Sequence, residues 1–500
     1  LSVTIRLERE KGWRDFSQKL PPEYSAVRKN KQALSIVLLD SFDWRVYNSG
    51  HTLRLADGRL QLRVIEDGLP VFESRQRKGV LPVWPKDAKD ARLSAWLTGV
   101  LDVRALLVHC RWQGSSEDFD LLNADKKTIA RGIFYNLNNG NAGLRLLEVQ
   151  PLRGYEQVCE VIFAPWKTLV AANSDSLLYA EAGVVPGGYR GSRPELDFSQ
   201  ETSLSTALKE ILTANFKMMR LNEPGVLQDI DTEFLHDYRV CGRRMRSALS
   251  RIKGVLKEET AGQLQNDLKR IGQFTGPVRD WDVFLLRRAG FERVLPEEFH
   301  KGLGKLMSNC ARRRSMAFSS LNSFLESKEY NEIIARIDAT LNDFERHLTA
   351  DADLKASAAG WIQARYKKVR KQGAELNDHS ADSAFHNLRI ECKKLRYLLE
   401  FFQSAFNKKA VRKATGLLKK LQDNLGNMND MSVQEELLTE IYLTAKKKNQ
   451  AALAETAAAL LGHTRTEKKR LRRDFRSLFN GFASSKSRHL YKSSFTVEGE

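Results

Sequence analysis

The chain runs to 500 residues, too many for one hydrophobic core, so two or three domains are expected. Apolar residues make up 42%, which excludes a disordered chain, and no apolar run approaches a membrane span or a signal-peptide core. Basic residues outnumber acidic ones by 81 to 62. The excess is +4 in residues 1–200 (28 against 24) and +15 in residues 201–500 (53 against 38), so a polyanionic partner is expected in the second part.

Residues 1–182 read mostly as β. Short alternating runs lie at Val3–Leu7, Ser35–Asp40, Thr52–Leu55, Leu60–Ile65, Ala105–Trp112 and Leu144–Val149, with helices around Asp87–Val100 and Gln157–Leu169. Asp57-Gly58 between two alternating runs predicts a tight hairpin. Many short antiparallel strands predict a barrel or tunnel-like curved sheet. A linker at 183–202 carries Gly183, Pro186, Gly187, Gly188, Gly191 and Pro194. From 203 to 495 strand signals vanish and apolar residues recur at three and four, so the second domain is all-α and the chain is α+β multidomain.

The helical part repeats with a shift of 150 residues. His236, Arg239, Arg243 and Arg246 meet His386, Arg389, Lys393 and Arg396. Upstream, Lys217 and Arg220 meet Lys367 and Arg370. Downstream, Gly276 and Asp280 meet Gly426 and Asp430. Three consecutive helices keep register without a gap, which marks an internal duplication, about 203–345 and 353–495, and predicts two helical bundles about a pseudo-two-fold axis. Beyond about residue 300 the match loosens, with Arg312–Arg314 only loosely parallel to Lys468–Arg473.

The residues from His236 to Arg246 fall at i, i+3, i+7 and i+10, on one helix face. Phe234, Tyr238, Met245, Leu249 and Ile252 fall on the other. The copy is built alike. The faces hold cations not interleaved with Glu, so i,i+4 ion pairs do not account for them. One cation per turn spaces charges about 5 Å apart in a line, which suits a linear chain of phosphates. Binding should tighten below about pH 6.5 as His236 and His386 gain charge. Nucleic acid is disfavoured, because the stripes carry only Tyr397 for base stacking. The duplicated Asp280 and Asp430 read as structural partners of the basic face rather than general bases, their glycines as aids to close packing or a bend, and Cys241 and Cys392 as packing residues. Five scattered cysteines without a Cys-x-x-Cys pair suggest neither disulfides nor zinc, and a reduced cytoplasmic compartment fits.

His236-x-x-Arg239-Val240-x-x-Arg243-Arg244-x-Arg246, Gly276-x-x-Arg279-Asp280-x-Asp282-Val283, His386-x-x-Arg389-Ile390-x-x-Lys393-Lys394-x-Arg396-Tyr397 and Leu421-Gln422-Asp423-x-Leu425-Gly426-x-x-Asn429-Asp430 together resemble the CHAD (conserved histidine α-helical) domain. The resemblance implies two pseudo-symmetric four-helix bundles and a basic cavity that binds inorganic polyphosphate. Carried over by motif, its ligands would be His236, Arg239, Arg243, Arg246, His386, Arg389, Lys393 and Arg396, with Lys217, Arg220, Lys367 and Arg370 as further candidates. Association with polyphosphate granules would follow. The N-terminal part resembles a CYTH domain more weakly, through Asp43–Leu55 and Pro151–Tyr155. That family opens with Glu-x-Glu-x-Lys, whose carboxylates hold a divalent metal. Here the first strand gives Thr4-Ile5-Arg6-Leu7-Glu8, and Leu144–Val149 offers only Glu148, too few oxygen ligands for Mg²⁺ or Mn²⁺. The β-domain is therefore expected to be degenerate and non-catalytic, with no cofactor, although Arg54, Arg63, Arg75 and Arg77 could bind an anion. The competing readings are a metal-dependent inorganic triphosphatase with a polyphosphate-binding accessory domain, and a nucleic-acid binder.

Overall fold

A computed structural model of the chain describes residues 3–7, 12–76, 80–171, 173–189, 191, 194, 196–199 and 201–496. It divides into two compact units, Leu1–Gly191 and Ser192–Glu500, a division that falls inside the 183–202 stretch.

The first unit is built on an antiparallel sheet. Its strands are β1 (Val3–Leu7), β2 (Ser25–Asp40), β3 (His51–Ala56), β4 (Arg59–Val64), β5 (Pro70–Arg75), β6 (Leu107–Leu122), β7 (Thr128–Asn138), β8 (Gly143–Pro151) and β9 (Val170–Ala171). Among the described residues these nine strands run in the order β5-β4-β3-β2-β6-β7-β8-β1-β9. The predicted hairpin is present: Asp57 and Gly58 have φ of 47° and 74°, the two positive values of a type I′ turn, and Ala56 pairs with Arg59. Five short helices accompany the sheet: α1 (Gly12–Gln18), α2 (Arg45–Asn48), α3 (Ala91–Leu101), α4 (Glu156–Ile162) and α5 (Ser174–Glu181). The α3 helix starts where Asp90 accepts the amides of Arg92 and Leu93. Its Leu93, Leu97 and Leu101 pack on Leu53, Leu60 and Leu62 of β3 and β4.

The second unit is all helix. Its elements are α6 (Leu204–Leu227), α7 (Thr232–Arg251), α8 (Glu258–Leu286), α9 (Arg288–Val294), α10 (His300–Leu325), α11 (Lys328–Asn342), α12 (Leu354–Ala374), α13 (Asp382–Phe401), α14 (Lys408–Lys447), α15 (Ala451–Ala483) and α16 (Ser485–Ser494). α6, α7, α8 and α10 pack as one four-helix bundle, and α12, α13, α14 and α15 as the other. The duplication is written in the helix starts: α6, α7 and α8 begin 150 residues before α12, α13 and α14. It reaches further than the sequence indicates, since α10 begins at His300 and α15 at Ala451. Ser203 and Asp353, themselves 150 apart, cap α6 and α12 and form a β-bridge with each other across the pseudo-two-fold.

A buried arginine ties the halves together. Arg244, 2% exposed, donates to Asn215 Oδ1 on α6 at 3.1 Å and to Glu400 Oε2 on α13 at 2.6 Å. Its counterpart Lys394 instead stays within α13, donating to the buried Glu391 at 2.7 Å. The α10–α15 contact is close: a Cβ at Gly302 would lie 2.0 Å from Thr456 Oγ1 and 2.4 Å from the Ala452 carbonyl oxygen. Gly302→Ala is expected to destabilise the protein by about 1–3 kcal/mol through overpacking, read as a lowered midpoint in chemical denaturation. An unchanged midpoint would mean the two helices separate at little cost.

Candidate functional site

The α7 helix starts at Asp231, which accepts the amides of Glu233 and Phe234. Its apolar face (Phe234, Tyr238, Met245, Leu249) is buried in its own bundle, which turns His236, Arg239 and Arg243 the other way. The same holds for α13, where Phe385, Leu388, Leu395 and Leu399 are buried. The two cationic faces and the adjoining parts of α8 and α14 enclose a cavity of about 350 Å³. Arg239, Arg243, Arg279, Arg287 and Arg389 supply its cations, Asp280 and Asp430 its carboxylates, His236 an imidazole, and Trp281, Val283, Phe284, Val433 and Leu437 an apolar lining.

Positive charge exceeds negative here, and the cations raise one another's cost. Lys393, half-buried one turn beyond Arg389, is pushed down to about 7 by burial and then by Arg389, Arg243 and Arg396. Arg239 is pushed down to about 10 by burial and by Arg243, against a weaker pull from Asp280. Arg389 is also lowered, by burial first. Among the described residues, none of Arg239, Arg243, Arg389 and Lys393 has a carboxylate at ion-pair distance. Arg239 instead donates to Thr275 Oγ1 at 2.8 Å, and the buried Arg389 Nε makes no hydrogen bond.

Of the two carboxylates, Asp430 has a direct partner, at the end of α8. Asp430 accepts from Arg287 Nη2 at 3.1 Å, and Arg287 also donates to Gln434 at 2.9 Å. The Asp280 carboxyl is raised above its ordinary range, first by loss of solvation on burial, opposed by Arg239 and Arg279 and reinforced by Asp430. A Cβ at Gly276 would make ordinary contact with Arg239 Nη1 at 3.5 Å, and one at Gly426 would meet nothing within 4 Å, so close packing demands neither glycine. Cys241 and Cys392 are fully buried, and all five cysteines are free thiols.

The twelve sequence candidates separate. His236, Arg239, Arg243 and Arg389 line the cavity, and Lys393 belongs to the same cluster. His386 is exposed and held through Nδ1, 2.7 Å from Asn429 Oδ1. Arg396 stands at the edge, 3.4 Å from Glu400 and over the Tyr397 ring. Arg246 is exposed and packs near Gly272. Four others are not brought to the cavity. Lys217 and Arg220 project from α6 on the face opposite the buried Asn215, into a separate groove shared with Asp338 of α11, and Arg220 pairs with Glu223. Lys367 is exposed on α12, and Arg370 lies over Tyr366. Arg279 and Arg287 are additions. Arg279 sat in plain view beside Asp280, whereas Arg287 has Leu437 as its counterpart and gave no repeat signal. Tyr397 faces the core, not the cavity, and the aromatic lining comes from Trp281 and Phe284 of α8.

The β-unit has its own concavity of about 630 Å³, lined by Arg54, Arg63, Arg131, Glu148 and residues from β2 to β8. At its base the charges are already paired. Arg54 meets Asp175 at 3.3 Å, and Arg63 meets Glu148 at 3.3 Å. Thr52 donates to Asp175 at 2.6 Å, and Tyr135 to Glu148 at 2.9 Å. Both carboxyls are held low, the arginines outweighing burial. Among the described residues no group of three or more His, Cys, Asp or Glu is placed to hold a metal ion, and Glu148 and Asp175 are too engaged with arginines to fit one. Arg75 lines a different groove, while Glu8 and Arg77 lie outside the described residues.

Residues 210–439 match the CHAD domain family model. The crystal structure of the CHAD domain from the plant Ricinus communis is similar, at 27% identity and a TM-score of 0.50, covering 58% of this chain and 96% of its own. PptA from Streptomyces chartreusis is 17% identical with a TM-score of 0.44, covering 56% of this chain and 100% of its own. Two Mycobacterium tuberculosis proteins, of strains CDC 1551 and H37Rv and each named only as an uncharacterized protein, are 26% identical over 172 residues, 33% of this chain. The chain spans about a third of the length of these curated relatives, 33% of each. No helix among the described residues is long and apolar enough to cross a membrane. The duplicated bundles, the paired cationic helices and the family match agree: the helical unit of this chain carries a CHAD domain.

Proposed function

We propose that the cavity between α7, α8, α13 and α14 binds inorganic polyphosphate, and that the β-unit is a CYTH-like relative that does not cleave it. The observation that carries this reading is the cluster of Arg239, Arg389 and Lys393, partly desolvated, with the exposed Arg243 beside them, and none of the four at ion-pair distance from a carboxylate among the described residues. A protein gains nothing in stability from crowding cations whose charges burial disfavours, so such a cluster makes sense when an anion completes it. Guanidinium forks offer paired donors to successive phosphate oxygens, and the apolar lining strengthens each contact by excluding water. In the β-unit the paired Glu148 and Asp175 favour a non-catalytic role over a metal-dependent triphosphatase.

Trp281 and Phe284 bring a nucleotide ligand into contention. Phe284 is buried against Phe291, and Arg313 lies over Trp281 at 5.6 Å, so these ring faces are largely used in packing. Competition decides the matter. At fixed ionic strength, unlabelled polyphosphate should displace fluorescent polyphosphate, and single-stranded oligonucleotides of matched charge should not. Displacement by both alike would overturn the preference for a base-free chain.

A further inference from the structure

We infer that the cavity takes organic diphosphates whose ester carries a short branched apolar chain, with the phosphates on Arg239, Arg243 and Arg389 and the chain against Val283 and Val433. The inference rests on the anion-binding reading above, and it adds a ligand class that inorganic phosphate chains do not represent.

The cavity has two unlike ends. On α8 the Arg239 guanidinium is fixed early, donating to Thr275 Oγ1 at 2.8 Å and to the Gly272 carbonyl at 3.4 Å. Val283 follows Thr275 about 12 Å further along the axis, at 1.5 Å per residue. In the other copy His386 lies 2.7 Å from Asn429 and Arg389 comes one turn later on α13, while Val433 and Leu437 come one and two turns after Asn429 on α14. The apolar wall is the outer skin of a packed core. Phe284 belongs to that core with Leu438 and Ile441 of α14, and Trp281 and Leu437 pack against it. Arg279 faces Glu233 at 3.6 Å and Arg287 reaches Asp430 at 3.1 Å. Among the described residues, the cavity's arginines without a carboxylate partner are therefore Arg239, Arg243 and Arg389.

Val283 and Val433 identify the second half of the ligand. They stand 150 residues apart, so the cavity takes this apolar pair from both copies just as it takes Arg239 with Arg389 and Asp280 with Asp430. Val433 keeps 49% of its surface exposed, and that surface opens into the cavity. Inorganic polyphosphate has no carbon to lay there and leaves both valines against water. Each methylene moved from water onto such a wall raises affinity about fourfold. Phe284 is buried against Phe291 and Arg313 lies over Trp281, which favours an aliphatic chain over a flat ring. A volume of about 350 Å³ is near the lower limit of small-molecule pockets, so beside a diphosphate there is room for roughly five to ten carbons.

The test uses the full chain at fixed ionic strength, with calorimetric titration of geranyl diphosphate, inorganic pyrophosphate and uncharged geraniol. Geranyl diphosphate should bind at least about thirtyfold tighter than pyrophosphate, and geraniol far more weakly than either. It should also displace fluorescent polyphosphate. Val283→Thr combined with Val433→Thr, which keeps the shape and adds hydroxyls, should cut the advantage over pyrophosphate at least about threefold. Geranyl diphosphate binding no tighter than pyrophosphate, geraniol binding as well as the diphosphate, or an advantage untouched by the double substitution overturns the inference. Fluorescent polyphosphate still bound alongside any of these results leaves the polyphosphate reading standing. Geranyl diphosphate bound without polyphosphate sinks that reading alone, and failure of both sinks the two claims together.

Discussion

Replacing Arg239, Arg243, Arg389 and Lys393 together with Ala is expected to lower polyphosphate affinity by more than about a thousandfold, while far-UV circular dichroism stays unchanged. A hydrogen bond to a charged group contributes about 1.5–3 kcal/mol, so the loss of even two or three contacts reaches that range, allowing for non-additivity. The helices should survive, because the buried faces of α7 and α13 are untouched and the structural cations of the same runs are Arg244 and Lys394. Thermal stability should stay level or rise, since removing charges that burial and mutual repulsion disfavour relieves the fold, against the lost bonds from Arg239 to Thr275 and to the Gly272 carbonyl. Retained affinity would place the site elsewhere. Arg313 and Arg314 are poor substitutes, because Arg313 pairs with Glu440 at 2.7 Å and Arg314 with Asp282 at 2.9 Å and with Asp229. A stable variant without binding is the outcome that separates function from folding here.

The second large effect is a dependence on pH that Lys393 sets. Its amine is ordinarily protonated up to about 10.5 and is held at about 7 in the folded protein. Between those values the unfolded chain binds more protons, so stability rises with pH across that window and the penalty is fully present below about 7. Affinity for phosphate runs the other way. Polyphosphate binds the charged amine, so affinity rises as pH falls towards 7 and levels off below it, and binding near pH 8 draws in a proton. Titration calorimetry in two buffers of different ionisation enthalpy should record that uptake. Lys393→Met should abolish it, flatten the affinity profile above pH 7, and raise the melting temperature at pH 7 by an amount equivalent to a few kcal/mol at most. The sequence pointed to His236 and His386 as the pH-sensitive groups, with tightening below about pH 6.5. If the affinity step lies there and survives Lys393→Met, the histidines carry it and the lysine does not.

Legibility in the sequence differed between the two units. In the β-unit, strands with apolar alternation were read correctly, as at Val3–Leu7 and Leu60–Ile65. The polar first half of β2 was missed, as were β5 and β7. Their place comes from backbone pairing, for instance Ser25 with Leu122 and Gly132 with Phe119, and side-chain pattern does not encode that pairing. Asp175 shows the same limit for charge. It lies on α5, 121 residues from Arg54, and nothing local announces that the two would meet.

For the helical unit the sequence by itself determined a great deal. A 3.6-residue period fixes which side chains share a face, and a gap-free shift of 150 fixes the starts of α12, α13 and α14 from those of α6, α7 and α8, so the duplicated bundles and cationic stripes could be read directly. Only the tertiary structure decided which cations meet. Period gives a direction around one helix axis and says nothing of the distance to the next helix. Hence Arg243 and Arg389 line the cavity while Arg244 turns into the interface with α13 and Lys394 folds back on Glu391 of its own helix, Arg279 and Arg287 arrive from α8 and its end, and Lys217 and Arg220 face another groove. The depressed Lys393 amine depends first on burial, which only tertiary packing supplies, and then on charge, to which Arg389 and Arg396 of its own helix are joined by Arg243 of α7 from the other bundle.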